Sequence, residues 1–204
     1  MVTYADAITL LLAFFVMIVT FSKFDMPLFE QVQAGLAQDI GKREVVRPIT
    51  LLRAQMEQLV NSLGVEDTLE VTTDDDGVVL ELAANALYRP GSAEIRPEAR
   101  STLENVATVI LNSRYGRFFV TVEGHTDDTP IATDRYPTNW DLSAARAAGV
   151  VRLMLTAGVP DWRLKAVGHA DTRPKAPNRD AVGNPIPENQ AQNRRITVRL
   201  NSRH

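Results

Sequence analysis

The sequence predicts a single membrane-spanning helix followed by a globular domain that is an α/β or α+β sandwich. Residues 7–21 contain no charged side chain, and about 20 helical residues cross the roughly 30 Å hydrocarbon core of a bilayer. Beyond residue 64, some segments alternate apolar and polar residues, whereas others repeat apolar residues every three or four positions. These two periods indicate strands and helices. Strands that alternate with helices in this way form a sheet covered by a helical layer.

Composition excludes several classes of function. The chain has 204 residues, a formal net charge of −3 and no cysteine. A weakly negative protein has no long-range attraction for nucleic acid. Without cysteine, the chain has no disulfides, thiolate metal ligands or cysteine nucleophiles. The length suits one domain with an appendage, which we divide into a span over 1–22, a helical connector over 23–63 and a globular domain over 64–204.

The apolar N-terminal segment is predicted to remain in a membrane. A signal peptide and a buried core helix are the alternatives. A signal peptide begins with basic residues and ends at a small-residue cleavage site. Residues 1–22 contain no Lys or Arg, and residues 20–24 offer no such cleavage site. In residues 23–40, apolar side chains recur every four positions, which predicts a short amphipathic helix that ends at Gly41.

The remaining elements follow from their periodicity and their boundary residues. A helix begins after Pro48 and closes at Gly64, and a hairpin with its turn at 74–77 follows. A second helix begins at Pro97, because proline suits a first helical turn. Residues 118–123, 164–167 and 196–200 are predicted strands, residues 142–157 a helix, and residues 170–193 a loop that is either functional or mobile. The apolar residues that carry these patterns are Leu52, Met56, Leu59, Val60 and Leu63 in the first helix, and Leu69, Val71, Val78, Leu80 and Leu82 in the hairpin. The inner face of the second helix is predicted to be Leu103, Val106, Ala107, Ile110 and Leu111.

Asp6 is the acidic residue of the predicted span. A carboxylate in hydrocarbon is costly, so such residues usually face a bundle interior or a water-filled path. The helical face of Asp6 also carries Thr9, Ala13, Met17 and Thr20, and small or hydroxyl residues are typical of contacts between helices in membranes. The alternative is that Asp6 only caps the helix at the level of the lipid headgroups.

The residues around Asp6 resemble a known family. Residues 3–6 (TYAD), followed by residues 9–16 (TLLLAFFV), resemble the single span of the MotB/PomB flagellar stator subunits. The resemblance implies that Asp6 is the ion-accepting site for transported H⁺ or Na⁺, with no cofactor. It also implies a MotA/PomA-like multi-span partner, two copies of this chain per unit, and a location in the inner membrane with the C-terminal domain in the periplasm. Tyr4 and Ala5 favour protons, on resemblance only.

Residues 21–29 resemble the span exit and plug of the same family. The plug is a short amphipathic helix that keeps an unassembled channel closed, and an ordinary connector is the alternative. The residues that would form it are Leu28, Phe29, Val32 and Leu36. The family has a basic segment before its span, because positive residues set orientation. Here the nearby basic residues follow the span, so we expect either a Lys- or Arg-rich segment encoded upstream of Met1 or a misassigned start.

Four motifs in the globular region resemble the OmpA-like peptidoglycan-binding domain. They are residues 91–95 (GSAEI), 123–127 (EGHTD), 139–147 (NWDLSAARA) and 193–195 (NRR). Their order matches the family, and the resemblance covers nearly all of residues 64–204. It implies an α+β two-layer sandwich with a mixed β-sheet.

Arg146 and Asp127 are the predicted centre of the binding site. Arg146 lies in the apolar stripe of its helix near the N-terminus, where it opposes the helix dipole and loses hydration unless an anion meets it. Asp127 follows a strand, so the two can converge at the carboxyl edge of the sheet. In the family this pair grips diaminopimelate of the stem peptide, with the ammonium on Asp127 and a carboxylate on Arg146. A purely structural Asp–Arg salt bridge is the alternative.

The resemblance adds four residues to this pocket by position. Thr126, Asn139 and Leu142 would line it, and Arg194 would approach from the last strand on its inward-facing register. A different hypothesis groups His125, Asp127, Asp128 and His169 as a metal or acid–base cluster. Their spacing matches no zinc motif, and no activated nucleophile accompanies them. The sequence therefore favours a non-enzymatic stator subunit over its two rivals, a passive wall tether and a stator-like channel of another machine.

Overall fold

The computed structural model describes residues 2–21, 48–74, 76–112 and 118–201. The chain forms two compact units that divide between Val45 and Val46. The first unit contains helix α1 (Val2–Phe21). No helix within the described residues combines the length and the apolarity that crossing a bilayer requires. The predicted amphipathic helix over 23–40, with the plug residues Leu28, Phe29, Val32 and Leu36, lies outside the described residues.

The second unit contains a five-stranded mixed sheet with helices packed on one face. Its strand order is β1-β2-β5-β3-β4, with β3 and β4 parallel and all other neighbours antiparallel. The elements are α2 (Pro48–Leu63), β1 (Leu69–Thr73), β2 (Gly77–Ala83), α3 (Ala84–Leu87), α4 (Pro97–Asn112), β3 (Phe119–His125), α5 (Asn139–Thr156), a 3₁₀ turn (Asp161–Arg163), β4 (Leu164–Ala170), α6 (Pro187–Asn193) and β5 (Arg195–Asn201).

The core lies between the sheet and α2, α4 and α5, and the predicted periodicity is largely confirmed. Inward residues of the central strands, such as Val122 and Val198, are fully buried, as are Met56 and Leu103 on the helices. The expectation was wrong for Leu111 of the predicted inner face, which is 38% exposed, and Leu63 at the end of α2 is 37% exposed as well. Both residues lie in the last turn of their helices, where the helix extends past the edge of the core.

Three short elements were not predicted, namely α3, the 3₁₀ turn and α6, and α6 organises the segment over 170–193 that was predicted to be a loop. Helix α6 ends at Asn193, whose side chain is fully buried. Its Oδ1 accepts hydrogen bonds from the backbone N–H groups of Lys175 and Ala176, and its Nδ2 donates to Ala176 O and Asn178 Oδ1. One buried amide therefore fixes the loop. Sequence left two possibilities for this segment, mobile or functional, and this amide supplies it with a defined anchor.

Helix α5 lies unusually close to the parallel strands β3 and β4. A Cβ at Gly124 in β3 would stand 2.1 Å from the backbone oxygen of Ser143, and a Cβ at Gly168 in β4 would stand 2.7 Å from the backbone nitrogen of Ala144. The fully buried Ser143 hydroxyl accepts from Ala170 N and donates to Trp140 O, both at 3.1 Å. The first turns of α5 thus sit directly on the backbone of the sheet.

Gly124→Ala is expected to destabilise the domain by at least about 2 kcal/mol, because the clash is with backbone that has no free rotamer to adopt. Gly149→Ala is the matched control, since its nearest neighbour would be 3.5 Å away and alanine is the better helix former. Urea unfolding of the detergent-purified chain, followed by tryptophan fluorescence, measures both. Equal midpoints for the two variants would contradict this account of the packing.

Candidate functional site

A cavity of about 510 Å³ opens beside the carboxyl end of β3. One wall is formed by α3 and the segment that follows it, and the other by residues 126–131 and the start of α5. All six residues predicted to bind peptidoglycan line this cavity, namely Thr126, Asp127, Asn139, Leu142, Arg146 and Arg194. A larger groove of about 660 Å³ runs along α4 and α5 but contains none of them. The sequence motifs therefore converge on one concave site.

The start of α5 determines where Arg146 lies. Thr138 and Asp141 form a capping box, in which each side chain accepts a hydrogen bond from the other residue's backbone N–H. Such a box satisfies two backbone donors that a helix start leaves without partners. It fixes the helix to begin at Asn139, and Arg146 follows two turns later on the face that packs against the sheet.

Arg146 is 5% exposed, and only part of its guanidinium is satisfied by protein. Its Nε donates to Ser92 O at 2.8 Å, and the guanidinium carbon lies 5.0 Å from the ring centre of Tyr88. Burial lowers the pKa of Arg146, although arginine stays protonated in proteins. Among the residues that the structure describes, no carboxylate forms an ion pair with it. A buried cation of this kind is costly unless an anion meets it.

Asp127 pairs with Arg194 and not with Arg146. Arg194 Nη1 lies 2.5 Å from Asp127 Oδ2, and the backbone N–H of Thr129 donates to Oδ1 at 3.0 Å. The sequence placed Arg194 in the last strand, whereas it is the residue between α6 and β5. Its side chain is 42% exposed and that of Asp127 is 10% exposed. The aspartate is thus held in place while the arginine beside it remains accessible.

Thr126 and Asn139 have different roles in the cavity wall. Thr126 is buried, its backbone N–H donates to Ala170 O at 2.8 Å, and its hydroxyl has no hydrogen-bond partner in the described part of the chain. Asn139 Nδ2 donates to the backbone oxygens of Asp127 and Thr129 at 3.3 and 3.0 Å. Asn139 therefore shapes the loop that carries Asp127, and Thr126 places an enclosed hydroxyl in the wall of the cavity.

The sequence did not single out Tyr88 or Arg96, which also line the cavity. Tyr88 supports Arg146 from below, and its hydroxyl donates to Arg146 O at 3.0 Å. Its backbone pairs with Ile95 in an isolated antiparallel bridge. The motif over residues 91–95 was the sequence signal that could have pointed to these two residues. The bridge places this motif against Arg146.

The histidines considered as metal ligands lie around Glu123 on the sheet face opposite the helices. His125 and His169 stack with ring centres 5.1 Å apart, and each has Nε2 3.7 Å from the Glu123 carboxylate. Asp128 instead contacts Arg179, in the segment after β4, and Gln190 of α6, at 2.5 and 2.8 Å. Within the described ranges, no group of three His, Cys, Asp or Glu side chains is arranged to hold a metal ion.

Glu123 is a buried carboxylate stabilised by neighbouring cationic and polar groups. Burial alone would raise its pKa, but the interaction with His125 and the charge of Arg199 outweigh burial and lower the pKa to about 2. Arg199 Nε is 3.1 Å from the carboxylate and the same guanidinium also pairs with Asp74. Burial and the charge of Arg173 lower the pKa of His169.

Two family models match the chain. The model of the OmpA family covers residues 87–187, and a model described as membrane MotB of the proton-channel complex MotA/MotB covers residues 1–40. Among curated proteins, the uncharacterized protein YtxE of Bacillus subtilis is 33% identical over 97% of this chain and 86% of its own length. Motility protein B of Helicobacter pylori is 24% identical over 97% of this chain and 83% of its own length.

Solved structures show the same likeness. A MotB-like protein from Desulfovibrio vulgaris superposes with a TM-score of 0.67 and 28% identity, over 76% of this chain and 94% of that one. The cell wall anchor of the T6SS from Pseudomonas aeruginosa superposes with a TM-score of 0.61 and 33% identity, over 72% of this chain and 96% of that one.

Glu123→Gln is expected to remove a pH-dependent contribution to stability. A carboxyl whose pKa falls from 4.5 to about 2 on folding stabilises the fold above pH ~4.5 by roughly 2–3 kcal/mol, and this contribution disappears as the pH falls toward 2. The wild type should therefore exceed Glu123→Gln in unfolding free energy at pH 7 and approach it below pH ~3. Glu66→Gln, at an exposed glutamate, is the control. A difference independent of pH would show that the carboxyl's charge is not the cause.

Proposed function

Because this chain belongs to the MotB-type proteins with an OmpA-like domain, we propose that it is a stator subunit that anchors an ion-driven flagellar motor to peptidoglycan. The OmpA-like domain is the α+β sandwich with the mixed sheet. The observation that carries the anchoring role is the buried guanidinium of Arg146, which faces the cavity without a carboxylate partner among the described residues. A protein that retains such a charge gains stability when an anionic ligand binds.

The ligand in this proposal is the diaminopimelate residue of a stem peptide. Its carboxylate would bind Arg146, because a guanidinium fork suits bidentate contact with a carboxylate. Its ammonium would bind Asp127, whose carboxylate is oriented by Arg194 and Thr129. Thr126 would line the site with a hydroxyl that has no hydrogen-bond partner in the described part of the chain, and Leu142 would contribute an apolar wall. No catalytic step is part of this role, and no cofactor other than the transported ion.

The N-terminal part of the proposal is that residues 1–22 span the inner membrane once and that Asp6 accepts the transported ion. What supports it is the uncharged run over 7–21 and the match of the MotB model to residues 1–40. The hydroxyl of Thr9 donates to the backbone oxygens of Ala5 and Asp6 at 3.1 and 2.9 Å, so the hydrogen bond of this hydroxyl is made within the helix.

A partner is required on physical grounds. One helix cannot enclose a water-accessible path around a carboxylate. We assign this part to a MotA/PomA-like multi-span protein, with two copies of the present chain per unit and the C-terminal domain in the periplasm. Residues 23–63 would serve as plug and linker, and the ion would be H⁺ in preference to Na⁺.

A second candidate is an anchor for a different machine, or a passive tether without a channel. The likeness to the T6SS cell wall anchor favours this second candidate. Both candidates use the same cavity, so wall binding does not separate them. The role of Asp6 does.

Arg146→Gln and Asp127→Asn are each expected to weaken binding to purified sacculi at least tenfold, because each removes one charge-assisted contact in a water-poor site. Arg152→Gln is the matched control, since it removes the same charge from an exposed position on the same helix. Co-sedimentation of the full chain in detergent with sacculi measures the loss. Equal binding by all three variants would exclude the cavity as the wall site.

Asp6→Asn is expected to abolish ion flow and motility while leaving sacculus binding unchanged. The substitution preserves shape but removes the charge that exchanges an ion. Cytoplasmic pH in cells that co-express the multi-span partner reports ion flow, and Asp127→Asn serves as the converse control that loses wall binding. Motility that survives Asp6→Asn would leave only the tether.

A further inference from the structure

The charges that line the cavity do not balance. Its charged side chains are Asp127 and four arginines, Arg89, Arg96, Arg146 and Arg194. Asp127 is paired with Arg194. For the three other guanidiniums, the described residues supply no carboxylate within ion-pair distance. Diaminopimelate presents one side-chain carboxylate, which satisfies only one of them.

Arg96 is the most informative of these three. Its Nε is completely enclosed, yet the described residues offer it no hydrogen-bond partner. The large majority of buried side-chain polar atoms in proteins have such a partner, and leaving one unsatisfied is costly. The residue as a whole is half-buried in the cavity wall, so an anion that meets the accessible part of this partly desolvated side chain would offset that cost.

The backbone holds Arg96 in a fixed place. Its N–H donates to Leu87 O at 2.9 Å, and helix α4 begins at the next residue, Pro97. The bridge between Tyr88 and Ile95 closes the loop just before it. The backbone of Arg96 therefore forms part of the cavity wall, and its side chain starts from a fixed position there.

Arg96 and Arg146 are held independently of each other. The Arg146 guanidinium is held by Ser92 O and the Tyr88 ring, whereas Arg96 is attached to the wall by the bond from its backbone N–H to Leu87 O. Neither shares a carboxylate with the other, and Arg89 lies exposed at the rim. The cavity thus presents two separate positions for anions, one at each guanidinium.

We infer that this cavity binds two carboxylates of the same ligand, one at Arg146 and a second at Arg96, with Arg89 attracting the ligand at the rim. The inference rests on the proposed function, in which the ligand is a stem peptide. The second carboxylate then has two possible sources. One is the D-glutamate that precedes diaminopimelate, because this residue is linked through its γ-carboxyl and its α-carboxylate is free. The other is the carboxylate at the C-terminal end of the peptide.

The consequence is a preference for stem peptides that are not amidated. Amidation replaces a charge-assisted hydrogen bond by a neutral one and leaves Arg96 without an anion. A cavity with only the Arg146 position would bind amidated and free peptides alike, provided that the diaminopimelate side chain is intact.

Three synthetic peptides test the inference. The first is N-acetyl-L-Ala-γ-D-Glu-meso-diaminopimelate with all carboxylates free, the second has the D-glutamate α-carboxylate amidated, and the third has the C-terminal carboxylate amidated. Calorimetry with the full-length chain in detergent gives their affinities for the wild type and for Arg96→Gln, Arg96→Lys and Arg100→Gln. Arg100 is the control because it is an exposed arginine of α4 outside this cavity.

Arg96→Gln is expected to weaken binding of the free peptide about tenfold and to leave the affinity for one amidated peptide unchanged. That peptide identifies the carboxylate that Arg96 binds. Arg96→Lys should retain part of the affinity, and Arg100→Gln all of it. If Arg96→Gln and Arg100→Gln bind all three peptides equally, the second carboxylate position is excluded and the wall-binding role stands. If the wild type binds none of them, the proposed function itself fails, and this inference with it.

Discussion

The close packing of α5 on the parallel pair β3 and β4 is the contact on which the site depends. It exists because Gly124 and Gly168 have no side chains where the helix backbone crosses them. Ser143, wedged at the crossing, bonds the helix to the end of β4 through Ala170. Because this crossing fixes α5, it also fixes Arg146 further along that helix and brings it near the residues that follow β3. A side chain at either glycine would move the helix, and the cavity would change shape although all of its lining residues were still present.

The cavity tolerates the buried Arg146 cation because the described residues satisfy part of its guanidinium. Ser92 and Tyr88 each take a share of the Arg146 guanidinium, which lowers the cost of burial without supplying a counter-charge. Glu123 shows the opposite solution on the other face of the sheet, where burial raises the pKa of the carboxyl but the interactions with His125 and Arg199 lower it by more. The two groups therefore differ in role. Glu123 is a structural charge that other side chains neutralise, whereas the charge of Arg146 is left for a ligand.

Much of this architecture was predictable from sequence, and the limits have identifiable causes. Apolar periodicity located the strands and the three long helices of the second unit. The predicted likeness to MotB-type OmpA-like proteins is confirmed by the comparisons. Arg146 was detectable because a charge interrupts an apolar stripe. The pairing of Asp127 with Arg194 was not, since it joins residues 67 positions apart. Arg96 gave no signal either, because the enclosure of one nitrogen atom depends on the surrounding backbone. The functional roles of the six site residues and of Asp6 stay predictions.

An anchor that resists the force of a motor needs slow dissociation more than high affinity at one contact. Affinity differences between related complexes reside mostly in the dissociation rate, and each charge-assisted contact that must break lowers that rate. Two carboxylate positions in one cavity would add such a contact within each subunit. In the proposed dimer, a second subunit that is bound to the same peptidoglycan would hold the first subunit nearby while it rebinds. This raises the effective concentration at the vacated site. The excess of arginine in the cavity and the pairing of two subunits would therefore serve the same mechanical requirement at different scales.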